Sequence, residues 1–286
     1  MKLKTKNLIL GSANFLTRYG ESPMYIDKKH SLEILKSAFN HKIKTLDISS
    51  DYKAFKGLTK FYNFKKWNIC FKIHTADLKK LNNLNSRKKY IKYLFKKLKK
   101  NKIKYFLFHN SKDLLSKNGK NLYKYLIEIK NKGLIGKLGV SIYSFKEIKK
   151  ISKLFKIDIL QAPLNILDQR LINSSFINFL KKNKIRLHVR SIFLQGILSD
   201  KKLIPKKFSK NKKIKDWYDY IKNNDSTSIV ETFNFLNKLK FIDKIIISSR
   251  TNSQLIQIIN CNIKNSKTNF NTFAYKNLKI IDPRKW

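Results

Sequence analysis

The chain has 286 residues, 42% of them hydrophobic and 13% aromatic, so it can bury a sizeable core and does not have the composition of a disordered segment. No apolar run approaches the roughly 18 residues that a membrane-spanning helix needs. Cys70 and Cys261 are too few for a disulfide framework. These features predict a cytoplasmic protein without a membrane span.

The charge of the chain is strongly positive, with 64 Lys and Arg against 18 Asp and Glu and a formal net charge of +46. Such an excess attracts nucleic acids and anionic membranes. However, only seven of these cations are Arg, and the Lys residues are scattered along a chain rich in Asn, Ile, Phe and Tyr, as in proteins from AT-rich genomes. We therefore expect weak, salt-sensitive binding to polyanions and no specific nucleic-acid partner. A basic polyanion-binding protein stays open as an alternative.

Short apolar runs alternate with lysine-rich segments along the chain. The apolar runs are predicted as eight strands, which are Leu8–Ala13, Lys44–Ile48, Ile69–Ile73, Tyr105–His109, Leu138–Ile142, Ile157–Leu164, Ile185–Ser191 and Lys244–Ser248. The segments between them have helical spacing, as in Ile91, Leu94, Phe95 and Leu98. This alternation predicts parallel β-α units, and eight of them predict a single-domain (β/α)8 TIM barrel over residues 1–286. An open doubly wound sheet is the alternative, although Gly11–Gly20 lacks its GxGxxG turn.

Polar residues stand at the ends of most predicted strands, where a barrel places its functional groups. They are Asp47 with Tyr52, Lys72, His109, Ser141, Gln161 with Asn165, Arg190, and the run Ser248, Ser249 and Arg250. Lys72 is the most informative of them because it interrupts an apolar run, and a buried Lys must face the barrel mouth or be paired. The two Cys and five His show no metal-ligand spacing, so we expect no metal site.

Asp47, Tyr52, Lys72 and His109 on one barrel mouth would form a proton-donating site. The pKa of a free Tyr is about 10, and a neighbouring Lys cation is expected to lower the pKa of Tyr52. Asp47 would keep Lys72 charged and in place, and His109 would bind a substrate oxygen. Such a donor suits an oxygen that gains negative charge, as in carbonyl reduction. None of the four side chains can supply a hydride, so a cofactor is implied.

The ordered motifs of the chain resemble those of the aldo/keto reductase family, in particular a bacterial branch of NADP-dependent members. The matching stretches, in family order over about residues 7–260, are DISSDY at 47–52 (family pattern D-x4-Y), FK at 71–72, FLFH at 106–109, GLIGKLGVS at 133–141, QAPLN at 161–165, RSIFLQG at 190–196 and SSRTNSQL at 248–255. The resemblance implies a (β/α)8 barrel, a small carbonyl substrate and an extended nicotinamide cofactor, usually NADPH rather than NADH.

The resemblance also implies a role for each candidate residue. Tyr52 is the general acid, Lys72 and Asp47 tune it, and His109 orients the carbonyl. The residues implied in cofactor binding are Ser141 and Gln161 at the nicotinamide carboxamide, Arg190 against the nicotinamide ring, Ser191 to Gly196 along the pyrophosphate, Ser248, Ser249 and Arg250 at the 2′-phosphate, and Gln254 near the adenine.

Three motifs depart from the family pattern. The family's Y-G-x-S-E reads YKAFK at 52–56, so Lys53 replaces the Gly and Lys56 the Glu. Ile142 replaces an Asn after Ser141, and the Glu-Asn pair that contacts adenine reads Gln257 and Ile258. Because of these departures, an alternative function stays open. In this alternative the barrel binds the cofactor, has a regulatory or scaffold role and turns over little substrate. The substrate and the oligomeric state do not follow from the sequence. Two segments, Lys201–Asn224 and Pro283–Trp286, are candidates for the substrate pocket.

Overall fold

The computed structural model describes residues 3–20, 24–264 and 266–286. Its eight parallel strands close into a barrel in which each strand pairs with the next and the last pairs with the first. The strands are β1 (Leu8–Gly11), β2 (Thr45–Ser49), β3 (Asn68–Ile73), β4 (Ile103–Phe108), β5 (Ile135–Ser141), β6 (Ile159–Pro163), β7 (Arg186–Arg190) and β8 (Ile242–Ile247). The predicted (β/α)8 barrel is confirmed, and the closed sheet excludes the doubly wound alternative.

Every predicted strand is present, but the boundaries differ. The largest difference is at β5, which begins at Ile135 rather than at the predicted Leu138. Gly136 and Lys137 interrupt the apolar pattern there, although their backbone belongs to the strand. At the other end of the barrel, His109 was predicted as strand but follows the last residue of β4.

Helices surround the barrel. In the described chain they are α1 (Lys28–Asn40), α2 (Lys53–Phe61), α3 (Thr75–Leu78), α4 (Leu84–Leu98), α5 (Ser111–Leu115), α6 (Lys117–Asn131), α7 (Phe145–Ser152), α8 (Ser174–Lys182), α9 (Lys212–Asn223), α10 (Ser228–Lys238), α11 (Asn252–Ile259) and α12 (Leu278–Ile281). Ile91, Leu94 and Leu98 of α4 are buried as their spacing predicts. No helix of the described residues is long and apolar enough to cross a membrane.

An apolar layer inside the barrel supports the polar residues of the mouth. This layer consists of Cys70, Tyr105, Leu107 and Ile159. Side chains two residues apart on a strand point to the same side, so Lys72 follows Cys70 into the barrel and Gln161 follows Ile159. The alternation of the strands therefore brings polar groups from β3 and β6 to one level of the barrel interior.

The opposite end of the barrel, where the strands begin, carries a basic cavity. Its charged lining residues are Lys100, Lys102, Lys104, Lys137, Arg186, Asp243 and Lys244. Asp243 is the only acid among these described lining residues. This end of the barrel is therefore strongly basic, and it lies opposite the end where the strands finish.

Candidate active site

A cavity of about 280 Å³ opens at the carboxyl ends of the strands. Twelve of the thirteen predicted site residues line it, and they are Asp47, Tyr52, Lys72, His109, Gln161, Arg190, Ser191, Gly196, Ser248, Ser249, Arg250 and Gln254. The remaining one, Ser141, is buried next to the cavity, where its Oγ lies 3.4 Å from Nη2 of Arg190. The structure thus brings all thirteen residues to one end of the barrel.

Lys72 is the centre of a buried polar cluster. Its Nζ donates to Asp47 Oδ1 at 2.7 Å, to Tyr52 Oη at 3.0 Å and to Gln161 Oε1 at 3.0 Å. Gln161 Nε2 in turn donates to Asp47 Oδ2 at 2.8 Å. Lys72 and Asp47 are each 2% exposed, so this ion pair is shielded from water. All three protons of the ammonium are used, and the tyrosine hydroxyl is held by a cation.

The charges around Lys72 and Tyr52 determine which of them is ionised. Burial lowers the pKa of Lys72, but Asp47 and Tyr52 outweigh it, so the pKa is raised and the ammonium stays charged. Burial in the cavity raises the pKa of Tyr52 far above its ordinary value, and Lys72 lowers it only in part. Lys72 thus lowers the pKa of Tyr52 as predicted, but burial, which the sequence does not reveal, outweighs it, and the net pKa is raised. Tyr52 remains a protonated phenol at neutral pH and can donate its proton.

The turn between β2 and α2 sets the position of Tyr52. Ser50 N–H and Ser49 Oγ both lie 3.0 Å from the carbonyl oxygen of Lys72, which ties this turn to β3. Tyr52 N–H donates back to Ser49 O at 3.1 Å, and α2 begins at Lys53. The tyrosine therefore precedes the first helical turn and reaches the ammonium on the neighbouring strand.

His109 stands beside Tyr52 at the end of β4. The two rings meet edge to face with their centroids 5.9 Å apart. His109 Nδ1 lies 3.1 Å from Ser49 Oγ and 3.5 Å from Asp51 Oδ1. The sequence does not single out Ser49 and Asp51 as site residues, because the D-x4-Y pattern specifies neither position.

The loop after β7 forms another wall of the cavity in a strained conformation. Ser191, Leu194, Gln195 and Gly196 all have a positive φ, between 46° and 104°. Such backbone is uncommon for residues other than Gly and tends to occur at functional sites. At Gly196 an added Cβ would lie 2.2 Å from Nη2 of Arg250, so only Gly allows the guanidinium to approach this closely.

The loop after β8 presents polar groups that the protein leaves unsatisfied. The Oγ of buried Ser249 and the Oδ1 of buried Asn14 have no hydrogen-bond partner in the described structure. Asn14 Nδ2 donates to Ser249 O at 2.7 Å and so fixes both residues. Arg250 makes no ion pair with any described residue and lines the same cavity. Thr251 caps α11, which begins at Asn252 directly after this loop.

Comparison with known proteins decides the family. The sequence pattern of the aldo/keto reductase family matches residues 7–276. The chain belongs to the aldo/keto reductase family. Membership makes it an NAD(P)H-dependent oxidoreductase that acts on carbonyl compounds, because members of this family use NAD(P)H. No curated protein matches its sequence.

Solved structures of aldo/keto reductases share the fold at low sequence identity. A glycerol dehydrogenase from Gluconobacter oxydans is 13% identical, with 97% of this chain and 92% of that chain covered and a TM-score of 0.65. A thermostable aldo-keto reductase solved with the inhibitor epalrestat is 18% identical, with 93% of each chain covered and a TM-score of 0.65. An aldo-keto reductase from a Medee basin deep-sea metagenome library is 16% identical, with 97% and 89% covered and a TM-score of 0.59.

Two residues expected to contact the cofactor of this aldo/keto reductase are engaged by the protein itself. Gln161 was predicted at the nicotinamide carboxamide, but its amide bridges Asp47 and Lys72 and belongs to the polar cluster. Gln254 Oε1 accepts a hydrogen bond from Arg250 N–H at 2.9 Å, so this oxygen stabilises the loop before α11.

One segment predicted for the substrate pocket supports the fold instead. Trp217 Nε1 donates to Leu198 O at 3.1 Å, and Tyr218 Oη donates to Ile197 O at 2.6 Å. Both rings are buried, and neither belongs to the described cavity lining. Trp217 and Tyr218 bind the backbone of the loop after β7 on the side away from the cavity. The aromatic residues of 201–224 were therefore wrongly assigned to the pocket.

The other predicted segment does reach the cavity rim. Arg284 stacks on Tyr143 with its Cζ 3.2 Å from the ring centroid, and Arg190 lies on the same ring at 4.4 Å. Tyr143 lines the cavity, as does Tyr19 from the loop after β1. Neither tyrosine was predicted, because each follows a polar or turn-like stretch with no periodic signal.

Proposed function

We propose that this aldo/keto reductase uses NADPH to reduce an aldehyde, a ketone or a sugar carbonyl to an alcohol, with Tyr52 as the proton donor. The observation that supports this most directly is the contact of Tyr52 Oη with the buried, Asp47-paired ammonium of Lys72 at 3.0 Å. The cation stabilises the negative charge left on the tyrosine as its proton moves to the substrate oxygen. Tyr52 is therefore a phenol in the resting protein and a better acid in the reaction than burial alone allows.

The unsatisfied groups of the cavity fit a nicotinamide dinucleotide phosphate. Among the described residues Arg250 forms no ion pair and Ser249 Oγ has no hydrogen bond. Both residues precede the N-terminus of α11, where backbone N–H groups favour an anion. The loop from Ser191 to Gly196, in which Ser191, Leu194, Gln195 and Gly196 have a positive φ, forms a wall next to Arg250. When bound, the cofactor would supply the hydride that no side chain of the site can provide.

The first experiment follows NADPH oxidation by absorbance with a panel of aldehydes, ketones and aldoses. Wild-type protein should oxidise NADPH in a substrate-dependent way. If no member of the panel supports turnover while NADPH binds, the cofactor-binding barrel with a regulatory or scaffold role becomes the better interpretation.

Arg250→Ala tests the assignment of NADPH over NADH. A hydrogen bond to a charged group contributes about 1.5–3 kcal/mol, so NADPH should bind roughly 10 to 150 times tighter than NADH in the wild type. The substitution should remove most of that difference by weakening the binding of NADPH alone. Calorimetric titration gives the dissociation constants of both cofactors for the wild type and the variant.

Arg186→Ala is the matched control, because it removes the same charge at the other end of the barrel. It should leave both affinities close to those of the wild type. Equal affinities for the two cofactors in the wild-type protein, or an Arg250→Ala protein that weakens both alike, would remove Arg250 from 2′-phosphate recognition.

The basic cavity at the bottom of the barrel gives the polyanion-binding alternative a location to test. If the Lys excess is compositional, binding to RNA or anionic vesicles should be weak and should collapse between low and physiological salt. Filter binding and vesicle sedimentation at several salt concentrations measure this. Sub-micromolar, sequence-selective binding at about 0.15 M salt would instead favour a nucleic-acid function.

A further inference from the structure

The carboxylate of Asp51 and the hydroxyl of Ser49 meet one edge of the His109 ring. His109 Nδ1 lies 3.1 Å from Ser49 Oγ and 3.5 Å from Asp51 Oδ1. The other carboxylate oxygen of Asp51 lies 3.9 Å from His74 Nε2. No described residue exchanges a hydrogen bond with Nε2 of His109, and the ring lines the cavity. One edge of the ring is therefore held by the protein, and the other is left for a ligand.

The contact between Ser49 and Asp51 determines where the protons lie. Ser49 Oγ is 2.5 Å from Asp51 Oδ1 and 3.0 Å from the carbonyl oxygen of Lys72. Both oxygens only accept, so the single hydroxyl proton of Ser49 is donated to one of them, and the contact with Asp51 is the shorter. Ser49 then offers only a lone pair to His109. Because both neighbours of Nδ1 are acceptors, Nδ1 carries a proton in the neutral ring as well as in the charged one.

This proton assignment changes what His109 can do at the cavity. In the neutral ring with a proton on Nδ1, Nε2 has only a lone pair and can accept a hydrogen bond from an alcohol. A carbonyl oxygen also only accepts, so the neutral ring has nothing to donate to it. In the charged ring both nitrogens donate, and Nε2 can then bind a carbonyl oxygen next to Tyr52.

We propose that Asp51, acting with Ser49, is a positioning residue that keeps the His109 proton on Nδ1 and stabilises the charged ring. His109 then contacts a carbonyl as an imidazolium and an alcohol as a neutral imidazole. The consequence for turnover rests on the proposed carbonyl reduction, whereas the proton assignment does not. Asp51 acts only through His109, so it shapes the pH dependence of the reaction without touching the substrate.

Charged groups from several elements act on His109. Burial lowers its pKa, Asp51 opposes this by hydrogen bonding and by charge, and Lys72 and Arg190 lower the pKa further. His74, from the end of β3, shares the carboxylate of Asp51. The net pKa is below the ordinary value, so the charged fraction of His109 grows as the pH falls through and below neutrality. Carbonyl reduction measured as kcat/KM should therefore rise towards acid pH, and alcohol oxidation should fall.

Nitrogen-15 NMR of the imidazole rings tests the proposal in the intact protein without substrate. The chain has five His residues, and a His109→Gln variant identifies the His109 signals. The wild type should show the proton of neutral His109 on Nδ1. In Asp51→Asn the titration midpoint should fall by about one pH unit, the lower end of the effect of a nearby opposite charge. The new amide can donate, so the proton of the neutral ring should shift towards Nε2.

Two further variants serve as controls. Asp77→Asn makes the same chemical change three residues after His74 and should leave the His109 midpoint unchanged. Asp51→Glu retains a carboxylate and should keep the proton on Nδ1, with a midpoint closer to the wild-type value than that of Asp51→Asn. A merely structural role for Asp51 would instead lower the thermal stability of Asp51→Asn without moving the midpoint.

The pH dependence of NADPH oxidation gives the second measurement. Between about pH 5 and 8, where His titrates, kcat/KM of the wild type should rise towards acid pH. In Asp51→Asn this profile should shift to lower pH together with the His109 midpoint, so kcat/KM at any given pH in this range should be lower than in the wild type. A wild-type His109 with its neutral proton on Nε2, or an unchanged midpoint in Asp51→Asn, overturns the inference. A third outcome is that the NMR spectra show the expected Nδ1 proton and the lowered midpoint in Asp51→Asn while no carbonyl is reduced. In that case the proposed function fails, and the positioning of His109 by Asp51 stands.

Discussion

Replacing Tyr52 by Phe should lower the rate of carbonyl reduction by a factor of about 10²–10⁴, the usual contribution of general acid catalysis. The substitution removes one hydroxyl, the group that Lys72 Nζ contacts at 3.0 Å, and leaves the ring in place. Binding of NADPH should change little, because the unsatisfied groups proposed to hold it lie on the loops after β7 and β8. Single-turnover oxidation of bound NADPH by a reactive aldehyde isolates the affected step.

Tyr93→Phe is the matched control, since it makes the same chemical change on the exposed face of α4. Its single-turnover rate should equal that of the wild type. A Tyr52→Phe protein with a wild-type rate would exclude Tyr52 as the acid. A low rate in both Tyr52→Phe and the wild type, with tight NADPH binding, would favour the regulatory barrel over the enzyme.

The polar cluster explains how a tyrosine with a raised pKa can still act as an acid. Burial makes the phenolate unfavourable in the resting protein, which keeps the proton available at neutral pH. The ammonium of Lys72 is already fixed by Asp47 and Gln161, so it needs no reorganisation when negative charge develops on Tyr52. Asp47 and Gln161 thus position the Lys72 ammonium, and the ammonium stabilises the negative charge that develops on Tyr52.

The barrel and the residues at its mouth could be predicted because both depend on local pattern. Apolar runs and amphipathic segments alternate eight times, and most of the polar candidates stand at or just after the end of such a run. Strand ends converge in any closed parallel barrel, so Asp47, Lys72 and His109 reach one cavity whatever the details of the strand boundaries.

The partners within the site could not be predicted because they depend on three-dimensional register. Gln161 and Asp47 are 114 residues apart in sequence and meet only across the closed barrel. Asp51 lies within the D-x4-Y motif as an apparent spacer, and only the end of β4 brings His109 against it. The sign of the Tyr52 pKa shift depends on the balance between burial and Lys72, which sequence spacing does not provide.

Aromatic residues were the least predictable part of the pocket. Trp217 and Tyr218 stand out in composition, yet their polar atoms bind the backbone of Ile197 and Leu198 behind the β7 loop. Tyr143 lines the cavity between the guanidinium groups of Arg190 and Arg284, which come from β7 and from the C-terminal segment. Packing against distant elements, rather than residue type, decides which ring faces the cavity.

Replacing Lys72 by Met should destabilise the protein as well as slow the reaction. The change leaves Asp47 buried without a cation, with Gln161 Nε2 and the Cys70 thiol as its hydrogen-bond partners. Breaking a buried pair from one side typically costs about 3–5 kcal/mol of the free energy of unfolding. The pKa of Tyr52 should rise further once the cation that lowers it is gone, so the single-turnover rate should fall too. Urea denaturation and single-turnover kinetics on the same preparations measure both effects.

Two comparisons show whether the buried pair itself is responsible for these effects. Lys130→Met breaks the Lys130–Asp158 ion pair, whose side chains are 26% and 17% exposed, and should cost about 1 kcal/mol or less. The double variant Lys72→Met with Asp47→Leu leaves no unpaired charge, so it should be more stable than Lys72→Met alone while remaining inactive. If Lys72→Met destabilises no more than Lys130→Met, and the double variant regains no stability, then Asp47 is solvated or otherwise compensated in the folded protein. In that case Lys72 stabilises charge on Tyr52 without a shielded ion pair to Asp47.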